Sequence, residues 1–291
     1  MLETDKNSRK KFKEKGRTLI IDIHAHTSNH QMKGLHVTSA TIATLEELAK
    51  QYGISAIILL ATYFPHRGTG VHNHDLLKRI EGRPLFRMFG SLNVINGLRT
   101  GIDELEKLAQ LGLIAGIKLY PGYQSFEPSE TQLVGIYQLA ETYRLPVMLH
   151  GGELHRCPKE WNELSRPKYV EKPARDFPKV KFVVSHLSNP HFEELREVMT
   201  RCPNVFTDIS GQFVSGAEED MPEYRKLIVE EIQKFLLLPN GEDRVMFATD
   251  FPIQSYEDSL DLVWRLKLSE VGLKKILAGN AIRFLDRTHA T

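Results

Sequence analysis

The chain has little cysteine. Cys157 and Cys202 are the only two in 291 residues, and neither belongs to a Cys-x-x-Cys pair. A disulfide framework is excluded, and a reducing, cytoplasmic setting is expected. No apolar run approaches the ~20 residues that a membrane helix needs, so no membrane partner is expected. There is almost no excess of one charge. Lys and Arg number 38 against 37 Asp and Glu, a formal net charge of +1. A general polyanion-binding surface is thereby excluded, and no nucleic-acid partner is expected. A Gly-rich phosphate loop is also missing. This argues against a nucleotide cofactor and against an open doubly wound sheet, which usually carries such a loop at its switch point. No linker or low-complexity tract divides the chain. The opening MLETDKNSRKKFKEKGR is basic and has no apolar stretch of the signal-peptide kind. Residues 1–17 are therefore expected to be a flexible basic tail, and residues 18–291 a single domain.

What remains is an ordinary globular composition, 41% hydrophobic and 26% charged. Eight β-branched apolar runs stand out: 18–25, 54–62, 86–94, 113–120, 145–151, 181–187, 204–210 and 244–250. Each reads as a parallel strand buried on both faces. Amphipathic segments alternate with them. Residues 40–53 place Ile42, Leu45 and Leu48 on one face and stop at Gly53. Residues 100–112 repeat the pattern, and residues 128–144 form a helix with Ser129 as its expected N-cap. Further helices are expected at 190–202, 223–238, 256–270 and 271–286. Two connections are irregular. Residues 64–74 read as a long loop before a short helix, and residues 151–179 carry four prolines, so any helix there is short or broken. Eight alternating β and α units predict an α/β protein, a single-domain (β/α)8 barrel with an extra C-terminal helix.

Polar residues fall at the ends of these strands. In IDIHAH, strand parity puts Asp22, His24 and His26 on one face. His150 ends PVMLH, His186 ends FVVSH, Asp250 ends MFATD, and Lys118 lies near the end of GIKLY. The C-terminal strand ends of a barrel form one mouth, so these residues converge from across the sequence. Several imidazoles and a carboxylate in one mouth suit a divalent metal, zinc above all, although Mn, Fe or Co suit the same donors. Asp22 is expected beneath them, hydrogen-bonding a ligand or a core polar group. A second HxH, His72 and His74, precedes a helix, where residues i and i+2 do not share a face, so no metal is expected there.

DIHAH, GIKLYPG, MLHGG, VVSHL, ATDFP and the terminal GNAIRFL, spanning residues 20–286, resemble the amidohydrolase superfamily. Within it they resemble the amidohydrolase-related group of hydrolases, lactonases and decarboxylases. The resemblance implies His24, His26, His150 and Asp250 as ligands of one metal ion. His186 then acts near the substrate as acid, base or electrostatic partner. Lys118 and His186 are the alternative ligands of a second metal, with Lys118 carboxylated. One ion is the favoured reading. In the implied chemistry the metal activates a water molecule, Asp250 accepts its proton and His186 steadies the developing charge.

Substrate contacts are expected from the loops after the strands. Arg67 and Arg156 are expected to clamp a carboxylate, with Glu153 in the same loop as Arg156 and Tyr120 beside the loop 121–126 as further contacts. The expected reaction is hydrolysis of an amide- or lactone-type C–N or C–O bond in a small carbonyl compound. The alternative is non-oxidative decarboxylation of an unsaturated or aromatic acid. A nuclease resembling the TatD group is a distant third, since that group usually carries a glutamate on strand four where this chain has Lys118. A small molecule is the expected partner, and a homo-oligomer stays open.

Overall fold

The computed structural model describes residues 18–28, 30–31, 34–64, 70–155, 157–217 and 222–287. The expected tail at 1–17 lies outside these residues, as do Arg67 and Arg156. Eight short strands follow one another: β1 (Ile21–Ala25), β2 (Ala56–Leu60), β3 (Phe86–Gly90) and β4 (Gly116–Leu119), then β5 (Val147–Leu149), β6 (Phe182–Val184), β7 (Val205–Asp208) and β8 (Val245–Met246). Each is parallel to the next, in sequence order. The sheet is joined into a barrel where the chain beyond β8 meets β1. Asp250 N donates to the His24 carbonyl and His26 N to the Phe251 carbonyl, both at 2.8 Å. The protein is an α/β barrel of the (β/α)8 type. No helix among the described residues is long and apolar enough to cross a membrane.

The wall sorts its side chains by parity. Ile57, Leu59, Ile117, Val147, Val205 and Val245 face the surrounding helices, in one core with Leu45, Leu105, Ile136 and Leu195. Ile21, Ile23, Ile58, Leu60, Met148, Val183 and Met246 face inward. Ala278, Ala281 and Phe284, from the helical segments Lys275–Gly279 and Asn280–Leu285, join the inward set. The extra C-terminal helix therefore packs on the barrel interior.

Among the described residues, three helices start on a side-chain cap, from Thr41, Ser255 and Ser269. The helix Ile42–Tyr52 starts on Thr41, whose hydroxyl accepts from Thr44 N, and stops at Gly53 in the left-handed region. Residues 128–144 differ from expectation. Ser129 does not cap a helix, because its hydroxyl donates to the Glu127 carboxylate instead. The chain turns once as a 3-10 segment, Thr131–Leu133, before the α-helix Val134–Thr142. The proline-rich connection breaks into two 3-10 segments and one short helix, Glu171–Asp176.

One irregularity decides how the first strand works. Asp22 pairs with Ile57, but Ala25 pairs with Leu59, so β1 carries one residue more than its neighbour over this interval. This is a β-bulge. Because Ile57 and Leu59 both face the helices, Asp22 and Ala25 do too, while Ile23 and His24 between them both turn inward. The expected common face of Asp22, His24 and His26 is therefore corrected: the bulge separates Asp22 from the histidines. The His24 amide, displaced from the regular ladder, donates to Asp22 Oδ1 at 3.0 Å.

Candidate active site

Three side chains converge at the barrel mouth. Asp250 Oδ1 lies 3.4 Å from His24 Nε2 and 3.1 Å from His26 Nε2. Asp250 takes a left-handed backbone, φ 58°. Its carboxylate is thereby set beside the two imidazoles while its amide holds the His24 carbonyl. His24 is buried, whereas the side chains of His26 and Asp250 are 22% and 16% exposed, so one side of the group opens to solvent.

His150 and His186 complete a chain of rings. The His186 ring centroid is 4.8 Å from that of His24 and 5.1 Å from that of His150. His150 Nε2 is buried with no hydrogen-bond partner among the described residues. An orphaned imidazole nitrogen costs about 1–3 kcal/mol unless something pairs with it. His186, Leu187 and Ser188 are all left-handed, with φ 63°, 52° and 54°, a costly conformation kept by its surroundings. It turns His186 Nδ1 to the Ser210 carbonyl at 3.1 Å. Lys118 is fully buried, and its Nζ donates to Ser185 Oγ at 3.0 Å.

Burial sets the charge states. It pushes His24 down to about 3, helped by the Lys118 charge, with Asp208 opposing. His150 is driven well below its usual value by burial and by His186, and His186 is lowered by burial. Neutral imidazoles keep the lone pairs that a metal needs. Lys118 is lowered to about 8 by burial, against the attraction of Asp208 and Asp250. Burial alone would raise the Asp250 carboxyl. The hydrogen bond from His26 and the neighbouring imidazoles outweigh it and hold Asp250 below the usual carboxylate range.

The donors fit a divalent cation. One nitrogen each from His24 and His26 and one oxygen of Asp250 all lie within 4.8 Å of one another, and the orphaned His150 nitrogen belongs to the same chain of rings. His72 and His74 are not part of this group. His72 stacks on Tyr63 at 4.1 Å between centroids, and His74 Nε2 is 3.6 Å from Glu104. Of the expected substrate residues, Tyr120 is buried and its hydroxyl donates to the Ala61 carbonyl at 2.8 Å. Glu153 is exposed, and its amide donates to the Asn189 carbonyl.

Sequence reasoning passed over Asp208, Ser210 and Gly211. The fully buried Asp208 has its Oδ2 3.2 Å from His24 Nδ1. The signal was available, since TDIS ends its strand on a carboxylate just as MFATD does. Gly211 lets the backbone pass against the site. A Cβ there would stand 2.8 Å from Asp250 Oδ2 and 2.9 Å from His186 Nδ1, and its φ is +58°. Gly211→Ala is expected to cost about 1–2 kcal/mol of stability and to lower turnover by pushing both side chains aside. Thermal unfolding with an activity assay checks this, and wild-type values of both would contradict it.

Asp22 serves the wall rather than the mouth. Its carboxyl accepts from the Thr249 hydroxyl at 2.7 Å and the Thr249 amide at 3.2 Å, with the Tyr256 hydroxyl beside it. Burial raises it to about 7, with the bonds from Thr249 and His24 opposing. The folded chain therefore keeps a proton that the unfolded chain loses above pH ~4. The resulting penalty grows from pH ~4 to ~7 and then stays constant. Asp22→Asn removes the ionisation, so its stability relative to wild type is expected to improve by on the order of 2–4 kcal/mol between pH 4 and pH 8. Urea unfolding at the two pH values measures it. An unchanged difference would show that Asp22 does not titrate in this way.

A family profile described as Amidohydrolase matches residues 21–287. The chain belongs to the amidohydrolase family. A curated relative, the uncharacterized protein y4mH of Sinorhizobium fredii, is 32% identical over 117 residues, which is 38% of this chain and 36% of that protein. The chain thus matches little more than a third of that relative's length. Among solved structures, an uncharacterized TIM-barrel protein of Bordetella bronchiseptica superposes with TM-score 0.74 at 19% identity, over 92% of this chain and 99% of its own. An amidohydrolase of Burkholderia multivorans with bound zinc gives 0.68 at 15% identity, over 92% and 99%. A dihydroxybenzoic acid decarboxylase of Polaromonas sp. JS666 with bound manganese gives 0.66 at 14% identity, over 94% and 98%. These likenesses show the shared barrel.

Proposed function

We propose that this chain is a metal-dependent hydrolase that opens an amide- or lactone-type bond in a small carbonyl compound. The observation that carries the reading is the meeting of His24 Nε2, His26 Nε2 and Asp250 Oδ1 at a partly open barrel mouth. His24, His26, His150 and Asp250 hold one divalent ion, with zinc the best match to their nitrogens and carboxylate. When bound, the ion supplies Lewis-acid polarisation and brings the pKa of water toward neutrality. Asp250, ionised at neutral pH, takes up the proton released by the attacking water. His186, whose Nδ1 is turned to Ser210, leaves its Nε2 to exchange a proton with the substrate. Lys118 is tied to Ser185 and attracted by Asp208 and Asp250. That supports its reading as an internal cation and a single ion in the site. Arg67 and Arg156 are proposed to clamp a substrate carboxylate, and Glu153 and Tyr120 to contribute further substrate contacts.

One observation favours a second reading, decarboxylation of an unsaturated or aromatic acid. Phe64 packs on Tyr120 and Tyr123, at 5.0 and 5.2 Å between centroids, and Tyr123 packs on the His150 ring at 4.8 Å. Such an aromatic wall suits a planar substrate. Turnover of lactone, amide and aromatic acid panels in 18O-labelled water separates the two. Hydrolysis puts one labelled oxygen into product without CO2. Release of CO2 without consumption of water would replace it with the lyase.

A further inference from the structure

Asp208 accepts hydrogen bonds from four donors. Its Oδ1 accepts from His186 N at 3.0 Å, from Ser210 N at 3.1 Å and from the Ser210 hydroxyl. Its Oδ2 faces His24 Nδ1 at 3.2 Å. An ionised carboxylate only accepts, so the proton in that last contact sits on His24 Nδ1. The same logic reaches His186 through Ser210. The Ser210 carbonyl, 3.1 Å from His186 Nδ1, also only accepts. The Ser210 hydroxyl, its proton committed to Asp208, accepts from the same nitrogen at 2.8 Å.

We propose that Asp208 and Ser210 are positioning residues that fix a proton on Nδ1 of both His24 and His186, so that both Nε2 atoms face the site as lone pairs. This rests on the proposed ion at His24. One imidazole is thereby kept ready for the ion and the other ready to receive a proton. A carboxylate behind a ligating imidazole fixes its tautomer and orientation and raises its basicity.

The pattern of donors makes Asp208→Asn a sharp probe. Three donors meet at Oδ1, so the single carbonyl oxygen of the new amide stays there and its NH2 group faces His24 Nδ1. The His24 proton is then driven to Nε2, where it competes with the ion, the wrong-tautomer effect known for buried carboxylate–histidine pairs. Zn2+ affinity by chelator competition is expected to fall about 10–100-fold in Asp208→Asn. Ser210→Ala leaves Asp208 on His24 but removes the Ser210 hydroxyl that faces His186 Nδ1 at 2.8 Å and His24 Nδ1 at 3.3 Å, so it should lower Zn2+ affinity distinctly less than Asp208→Asn. Equal losses in both variants would mean general disruption and would overturn the proposal. So would wild-type affinity in Asp208→Asn. Two Zn2+ ions in wild type falling to one in Asp208→Asn would make Asp208 a ligand and overturn it as well. Wild-type protein that binds no Zn2+ would instead remove the proposed function and this inference with it. Imidazole 15N shifts of the Zn2+-loaded wild-type protein give a reading that does not depend on the variants folding. A protonated Nδ1 on metal-bound His24 supports the proposal, and metal on Nδ1 with a protonated Nε2 overturns it.

Discussion

Asp250→Asn is expected to lower turnover by roughly 10^3–10^4-fold while leaving the barrel folded. The size follows from two roles in one carboxylate. Asp250 Oδ1 is the oxygen on which His24 and His26 converge, at 3.4 and 3.1 Å, so a neutral amide weakens the ion's hold. The amide also has no basicity with which to take a proton from water. The fold should survive because asparagine is one of the few residues that accept a left-handed backbone readily, and position 250 has φ 58°. The Asp250 amide bond to the His24 carbonyl is kept. Steady-state kinetics with ion analysis on the folded variant measures the effect. Full activity would remove Asp250 from the chemistry.

His186→Asn is expected to cost kcat about 10^2–10^4-fold, in the range of a lost acid–base group, with the ion retained. The distinction from Asp250 is geometric. His186 Nδ1 is committed to Ser210, and the single-ion reading gives the ligand positions to other residues. Asparagine again suits the local backbone, φ 63°. An ion content that falls with the activity would make His186 a ligand and favour the two-ion reading, with Lys118 as its neighbour.

The eight strands were legible because each is a short apolar run, and a run buried on both faces needs no finer pattern. The mouth was legible for a related reason. His24, His26, His150, His186 and Asp250 are polar groups at the ends of such runs, where a packed barrel has little other use for them. The bulge in β1 was not legible. It leaves no mark in IDIHAH, so parity alone placed Asp22 beneath the histidines, whereas it faces Thr249 and Tyr256. Asp208 carried the same strand-end signal as Asp250, but no imidazole accompanies it in NVFTDIS to mark it as part of a metal site. The expected cap at Ser129 failed because Glu127, two residues upstream, offers its hydroxyl a charged acceptor. A local hydrogen bond of that kind competes directly with helix capping.

One divalent ion on His24, His26, His150 and Asp250 is the proposed occupant of the mouth. Anomalous diffraction at the zinc edge from crystals grown with Zn2+ tests it most directly. A single peak per chain bonded to those four side chains, with an unmodified Lys118 still on Ser185, is the predicted result. No peak at the mouth, or two peaks bridged by a carboxylated Lys118, would contradict it.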